Sequence, residues 1–268
     1  THFHQAMLSS TMFSISINSQ EYSFDSSSDK RFGPESTLNE FIRRETVFKG
    51  TKITCGVGGC GACTVALATT DPTSGKATFR AINSCLALLF SLNGATIITN
   101  DGLGNSAVGY HPIQSMLAEK SGTQCGYCSS GFVMALFSLL QATPSPTPLQ
   151  VEQLLDGNIC RCTGYRPILD AFKTFAVTGH DEHAAPCLKE QCCRKRGHMV
   201  EIESAAATLE RKPRSRLTAQ CPSMTSPASN IVWHDVATIT DLSFWMQHYE
   251  GLRVMLLVGG TSQGIYKV

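Results

Sequence analysis

At 268 residues with a formal net charge of +1, the chain is long enough for one large domain or two ordinary ones with a sizeable buried core. Its charges are few and mixed in sign, which leaves no electrostatic footprint for nucleic acid or an anionic membrane surface. No apolar run reaches the roughly 18 to 20 residues that span a bilayer, and residues 1–7 lack the basic-then-apolar pattern of a signal peptide. The expectation is a soluble, cytoplasmic protein. Because Thr1 is not an initiator methionine and Val268 follows closely on an apolar strand and a glycine loop, the chain is also expected to be a fragment of a longer polypeptide.

In chain order, Phe13, Ile15 and Ile17, then Tyr22 and Phe24, alternate with polar residues around Asn18-Ser19-Gln20, the pattern of a two-stranded hairpin. Thr37-Leu38-Asn39-Glu40 matches a capping box, and Leu38, Phe41 and Ile42 supply the apolar stripe of the helix it opens. After a glycine-rich stretch at residues 54–63, strands are expected at 64–68 and 77–82, separated by the turn residues Asp71-Pro72-Thr73-Ser74-Gly75, and again at 96–99. A compact α+β unit over residues 10–100 follows.

Beyond it the pattern turns helical, with helices expected at 112–120, 131–141, 151–155 and 167–177 and with proline in the first turn of two of them. This predicts a small bundle over residues 109–177. Residues 178–230 are rich in charge, Ser, Pro and Ala without periodicity and read as a linker. A new fold is expected from 231 to 268.

Twelve cysteines in a chain expected to sit in a reducing compartment point to metal ligands rather than disulfides. Cys55-x4-Cys60-x2-Cys63, with Cys85 after 21 intervening residues, is the plant-type [2Fe–2S] spacing. A three-cysteine loop wrapping an anionic cluster needs backbone conformations that glycine adopts cheaply, and Gly56, Gly58, Gly59 and Gly61 provide them. Zinc is the competitor, although closed zinc sites usually use two Cys-x2-Cys knuckles. Cys125-x2-Cys128, 31 residues, then Cys160-x-Cys162 is ambiguous between an iron–sulfur site and zinc. The near-adjacent Cys160 and Cys162 suit a two-iron core, and expected helix ends nearby suit its negative charge.

Cys187, Cys192, Cys193 and Cys221 remain over. The first three lie beside cations and read as exposed thiols; His180, His183 and His198 nearby have no fixed ligand geometry. The basic residues between Lys195 and Arg216 read as a solvated linker rather than a targeting signal.

Taken together, Thr54-Cys55-Gly56-Val57-Gly58-Gly59-Cys60-Gly61-Ala62-Cys63, His111-Pro112-Ile113-Gln114, Gly122-Thr123-Gln124-Cys125-Gly126-Tyr127-Cys128 and the run from Gly157 through Cys160-Arg161-Cys162-Thr163-Gly164-Tyr165-Arg166-Pro167 to Leu169 resemble the xanthine dehydrogenase and aldehyde oxidase family. The likeness covers roughly residues 12 to 177. It implies a β-grasp ferredoxin-like domain followed by a four-helix domain, each with one [2Fe–2S] cluster, on Cys55, Cys60, Cys63 and Cys85 and on Cys125, Cys128, Cys160 and Cys162. It further implies a molybdopterin held mainly by a later domain, with Gln124 and Cys162 at the positions that contact the pterin. Ser129-Ser130-Gly131 departs from the family's usual Thr-Pro-Gly, but serine still caps a helix and no ligand is lost.

A weaker likeness at the chain's end, where Leu257, Val258, Gly259, Gly260, Thr261, Ser262 and Gly264 follow an apolar strand, implies the opening of the family's FAD domain, truncated here. Gly260 stands where the family usually has Asn, which puts one side-chain contact with the flavin in doubt. The resemblance implies the electron-transfer region of an oxidoreductase that hydroxylates aldehydes or N-heterocycles and passes electrons through FAD to NAD or dioxygen, in a protein that is typically a homodimer. No catalytic residue of that hydroxylation is expected in this chain. The alternatives are a stand-alone iron–sulfur subunit and a non-catalytic, zinc-stabilised module.

Overall fold

A computed structural model of the protein describes residues 12–26, 28–70, 75, 77–177, 223–226, 231–234, 236, 238–252 and 254–256. Strands β1 (Met12–Ile17) and β2 (Gln20–Asp25) form the expected hairpin, in the register Ile17 opposite Gln20. Asn18 and Ser19 both have positive φ, 49° and 68°, as a two-residue turn matching strand twist requires. Helix α1 (Leu38–Glu45) opens on the predicted box, with Thr37 Oγ1 accepting from the Glu40 N–H and the Glu40 carboxylate accepting from the Thr37 N–H.

Strands β3 (Thr64–Thr70), β4 (Ala77–Asn83) and β5 (Thr96–Ile98) complete a five-stranded mixed sheet ordered β2-β1-β5-β3-β4, in which only β1 and β5 run parallel. Strand alternation splits the side chains between two faces. Val65 and Ile97 join Phe13, Ile15 and Ile17 in a core closed by Leu38, Phe41 and Ile42 of α1. Ala66, Ala68, Phe79 and Ile98 face the other way, into a second core shared with the helices that follow.

Those helices are α2 (Asn100–Leu103), α3 (Pro112–Glu119), α4 (Ser129–Ala142), α5 (Pro148–Leu154) and α6 (Arg166–Phe172). Helix α4 is buried continuously from Ser130 to Ser138, because one side lies on the sheet and the other meets its neighbouring helices. The small side chains Ala66 and Ala68 admit it, and Phe79 meets Phe137 edge-on with ring centroids 6.0 Å apart. Phe132 meets Phe172 of α6 in the same manner at 6.4 Å.

Two helix starts were predicted late. Cys128 already has helical φ and ψ and acts as N-cap, so α4 begins at Ser129 rather than 131. A Thr147 and Gln150 capping box with Pro148 in the first turn likewise starts α5 before 151.

A separate antiparallel pair, β6 (Ser223–Ser226) and β7 (Ile231–His234), precedes α7 (Ile239–His248); β6 falls inside the stretch expected to be linker, so the last unit begins before the expected 231, because a four-residue strand is too short to show periodicity in sequence. His234 stacks on Trp245 at 3.7 Å, and its Nε2 lies 2.8 Å from the Tyr249 hydroxyl. Residues 257–268, with the glycine loop proposed for a flavin, lie outside the described residues, as do Cys187, Cys192, Cys193 and Cys221.

Candidate metal centres

The β3–β4 pairing sets the first site. Thr64 lies opposite Asn83 in the ladder, so Cys63 just before β3 and Cys85 just after β4 emerge at the same end. Their Sγ atoms are 3.3 Å apart and both residues are buried. Cys55 and Cys60 come from the loop between α1 and β3, where Gly56, Gly58 and Gly61 hold positive φ of 69°, 76° and 68°. At Gly58 it is the positive φ that demands glycine, since an added Cβ would first meet only the movable end of the Leu86 side chain. Asn83 Nδ2 donates to the Gly58 carbonyl at 3.0 Å and ties the loop to the strand.

The loop aims N–H groups at sulfur. The Val57 N–H lies 3.4 Å from Cys55 Sγ. Although burial pushes the Cys55 thiol up, that donor, a hydrogen bond with Cys60 and the N–H groups of Cys60 and Gly59 outweigh it and bring the thiol to about 7. Cys63 falls to about 6 through its hydrogen bond with Cys85 and the Cys85 N–H, against the opposing effect of burial, while Cys85 is pushed up by the same bond. The two buried sulfurs share one proton, which is how closely packed thiols lower their mutual repulsion.

The second site stands on two helix ends. Cys125 precedes α4 and Cys128 caps it; Cys160 and Cys162 lie on the turn before α6. Cys128 pairs with Cys160, and burial first, then that pairing, pushes its thiol up to about 12. Cys160 is pushed up by burial, but hydrogen bonds from the Thr163 hydroxyl and from the N–H groups of Thr163 and Cys162 bring it below the ordinary thiol value. Exposed Cys162 pairs with Cys125, which raises its thiol. Gln124 is exposed beside Cys125.

In both sites the sulfurs therefore come as two pairs, Cys55 with Cys60 and Cys63 with Cys85, Cys128 with Cys160 and Cys125 with Cys162. Among the described residues no three His, Cys, Asp or Glu side chains converge on a single-ion position. Two thiolate pairs suit a core with two irons, each taking two protein ligands, better than the single tetrahedral ion of a zinc site.

The two sites meet. The Ile159 N–H donates to the Cys60 carbonyl at 3.0 Å, and Asn158 Nδ2 donates to the Gly61 carbonyl at 3.0 Å. Tyr127 adds a 2.7 Å bond from its hydroxyl to the Ile53 carbonyl. Gly61 is closed in on two sides, since a Cβ there would lie 2.3 Å from Asn158 and a Cβ on Gly131 would lie 2.1 Å from the Gly61 carbonyl. Asn158, Gly131 and Tyr165, whose hydroxyl accepts from the Cys160 N–H at 3.1 Å, were not singled out from sequence. All three lay within quoted motifs, but nothing in their spacing marked them as contacts between the two sites.

Comparison with known proteins fits this geometry. A family of [2Fe–2S] binding domains matches residues 99–173. The chain is 36% identical to an indole-3-acetaldehyde oxidase of Arabidopsis thaliana across 98% of its own length and 20% of that protein. It is 51% identical to a xanthine dehydrogenase of Oryza sativa subsp. japonica across 52% of the chain and 10% of that protein. It thus spans only a tenth to a fifth of the length of these relatives. Among solved structures, quinoline 2-oxidoreductase from Pseudomonas putida 86 superposes with a TM-score of 0.52 at 27% identity, covering 70% of this chain and 97% of that one. The aldehyde oxidoreductase of Desulfovibrio gigas shares the fold with a TM-score of 0.52. With a match to a [2Fe–2S] binding domain over its helical half and relatives of both kinds along its length, the chain is homologous to xanthine dehydrogenases and aldehyde oxidases.

Proposed function

We propose that this chain is the electron-transfer region of a molybdenum-flavoprotein hydroxylase, organised as a ferredoxin-like β-grasp domain over residues 10–100, a helical domain over 109–177, a linker from 178 and the start of a FAD domain that already includes β6 at Ser223–Ser226. Cys55, Cys60, Cys63 and Cys85 would hold one [2Fe–2S] cluster, and Cys125, Cys128, Cys160 and Cys162 a second. Such a cluster supplies reversible storage of a single electron.

The observation that carries this reading is the 3.0 Å hydrogen bond from the Ile159 N–H to the Cys60 carbonyl. It joins a residue adjacent to Cys160 directly to a ligand of the other site, so two short covalent arms and one hydrogen bond connect the cysteine groups. The chain's residues hold that arrangement. Asn83 and Thr64 fix the first loop, Thr163 and Tyr165 fix the second, and the exposed edges at Cys55, Cys125 and Cys162 leave each site open to a further redox partner. The family supplies such partners in a molybdopterin, toward which Gln124 and Cys162 would face, and a FAD held by the loop containing Gly259 to Gly264. The substrate class is an aldehyde or an N-heterocycle, with NAD or dioxygen as final acceptor.

Alignment with the Arabidopsis protein along 98% of this chain favours one long polypeptide. A stand-alone iron–sulfur subunit is the second reading, favoured by a solved chain that this fold covers to 97%. A reductive titration followed by EPR tests the proposal: two distinct signals integrating to about two spins per chain support it, whereas a chain silent under dithionite overturns it.

A further inference from the structure

Tyr127 stands between Cys125 and Cys128 in the second site, and its hydroxyl donates to the Ile53 carbonyl at 2.7 Å across 74 positions of sequence. Ile53 lies two residues before Cys55, so the bond runs from the turn of one cysteine site to the arm of the other. On one side of that arm the Thr51 carbonyl accepts from Arg43 at 2.9 Å and the Lys52 carbonyl from Asn39 Nδ2 at 3.4 Å. On the other, Asn83 holds the Gly58 carbonyl, Ile159 that of Cys60, and Thr64 and Asn158 that of Gly61. Between them, over residues 53–57, the phenol is the one hydrogen-bond donor from outside the loop among the described residues. Ile53, Thr54, Cys55 and Val57 are exposed, and a Cβ on Gly56 would meet nothing within 4 Å. Stretches with so few contacts open at low free energy.

The turn that carries Tyr127 is itself held at one end only. Cys128 is the N-cap of α4, and the Ser129 N–H donates to the Gly126 carbonyl at 3.3 Å. At the other end Cys125 is exposed, and no backbone–backbone hydrogen bond among the described residues ties 123–125. Ligation through both Cys125 and Cys128 fixes the two ends of this turn and with them the reach of the phenol. We infer that Tyr127 is a positioning residue that couples the two sites, so that a cluster at the first is retained better when the second is filled.

This rests on the reading that the eight cysteines hold two [2Fe–2S] clusters. The test compares full-length wild type, Tyr127→Phe, Cys162→Ser and the double variant. Each is assayed for iron and sulfide, then exposed to the ferrous chelator bathophenanthroline disulfonate while EPR of dithionite-reduced samples follows the first site's signal. Cys162→Ser empties the second site without altering residues 123–128, and the signal it keeps identifies the first. Tyr127→Phe is expected to load fully and to lose that signal about fivefold faster than wild type, the worth of one neutral hydrogen bond. Cys162→Ser is expected to lose it at least as fast, and adding Tyr127→Phe to it should change nothing further. Equal acceleration by Tyr127→Phe in both backgrounds would overturn the coupling and leave a simple brace. Release at the wild-type rate from fully loaded Tyr127→Phe would overturn its role and leave the clusters in place, whereas a wild type without two signals would overturn the reading beneath it. Should Cys162→Ser fail to accumulate, amide hydrogen exchange of the loaded wild type and Tyr127→Phe decides. Faster exchange over residues 53–57 in the variant supports the inference, and equal exchange overturns it.

Discussion

Asn158 reaches across 97 positions of sequence to donate its side-chain amide to the Gly61 carbonyl at 3.0 Å. That carbonyl also accepts from the Thr64 N–H at 3.1 Å and the Thr64 hydroxyl at 2.7 Å. One oxygen therefore ties the first cysteine loop to strand β3 and to the turn that leads into Cys160. The contact fixes the spacing between the two sites, because Ile159, which bonds to Cys60, is the next residue along.

Replacing Asn158 should loosen this contact without abolishing the fold. In Asn158→Ala the carbonyl keeps both Thr64 donors, so the expected loss is about 1 to 2 kcal/mol. Asn158→Asp should cost more, since a carboxylate would face a carbonyl in a buried position. Denaturant midpoints of the two variants check the order; an Asp variant as stable as the Ala variant would contradict the assigned contact.

Gly131 offers a sharper test because helix propensity and packing predict opposite signs. Alanine at an ordinary helical glycine gains up to about 1 kcal/mol. Here the added Cβ would lie 2.1 Å from the backbone oxygen of Gly61, and backbone on both sides leaves little room to yield. Gly131→Ala is expected to destabilise by about 3 kcal/mol and to change electron exchange between the sites. Gly157→Ala, whose Cβ would meet nothing within 4 Å, serves as the control and should change stability by less than about 0.5 kcal/mol. A Gly131→Ala protein more stable than wild type would refute the close approach.

His111 should make stability depend on pH. Burial pulls its imidazole from 6.5 down to about 4, and its Nδ1 accepts from the Ile113 N–H at 3.2 Å at the start of α3, a bond that needs that nitrogen unprotonated. The unfolded chain therefore binds the proton more readily than the folded one. The contribution is complete above the unfolded value and is lost as pH falls from there toward the folded value. Between about pH 7.5 and about pH 5 the loss should be about 2 kcal/mol. His111→Asn keeps an N-cap acceptor and should remove that part of the slope in denaturant titrations at the two pH values. An unchanged slope would assign it to other groups.

Individual ligand substitutions should act on one site each. Cys85→Ser and Cys128→Ser are each expected to lower iron from about four to about two per chain and to remove a different EPR signal. Loss of the same signal by both would mean that the eight cysteines do not divide as proposed.

Much of this architecture was legible locally. The β1–β2 hairpin announces itself by alternation, and α1 by its Thr37 and Glu40 box; the structure has both, with Gln20 paired in β2 rather than left in the turn. The cysteine groups were legible because ligands on one loop must keep a fixed spacing. The pairing of sulfurs was not, since Cys63 meets Cys85 only after β3 and β4 align. Asn158 and Gly131 work through contacts with Gly61 far away in sequence and leave no periodic trace. Tyr165 is less visible still, because positive φ is ordinarily signalled by glycine or asparagine and here tertiary contacts impose it on an aromatic residue. The expected boundary between sheet and helices is also less sharp than composition suggests, because Ala66, Ala68, Phe79 and Ile98 of the strands share one core with α4 and α6.

Iron, zinc and acid-labile sulfide per chain, determined on anaerobically purified protein, test the central claim most directly. Two [2Fe–2S] sites predict about four iron and four sulfide with little zinc. Stoichiometric zinc without sulfide would contradict the account and reduce both cysteine groups to structural metal sites.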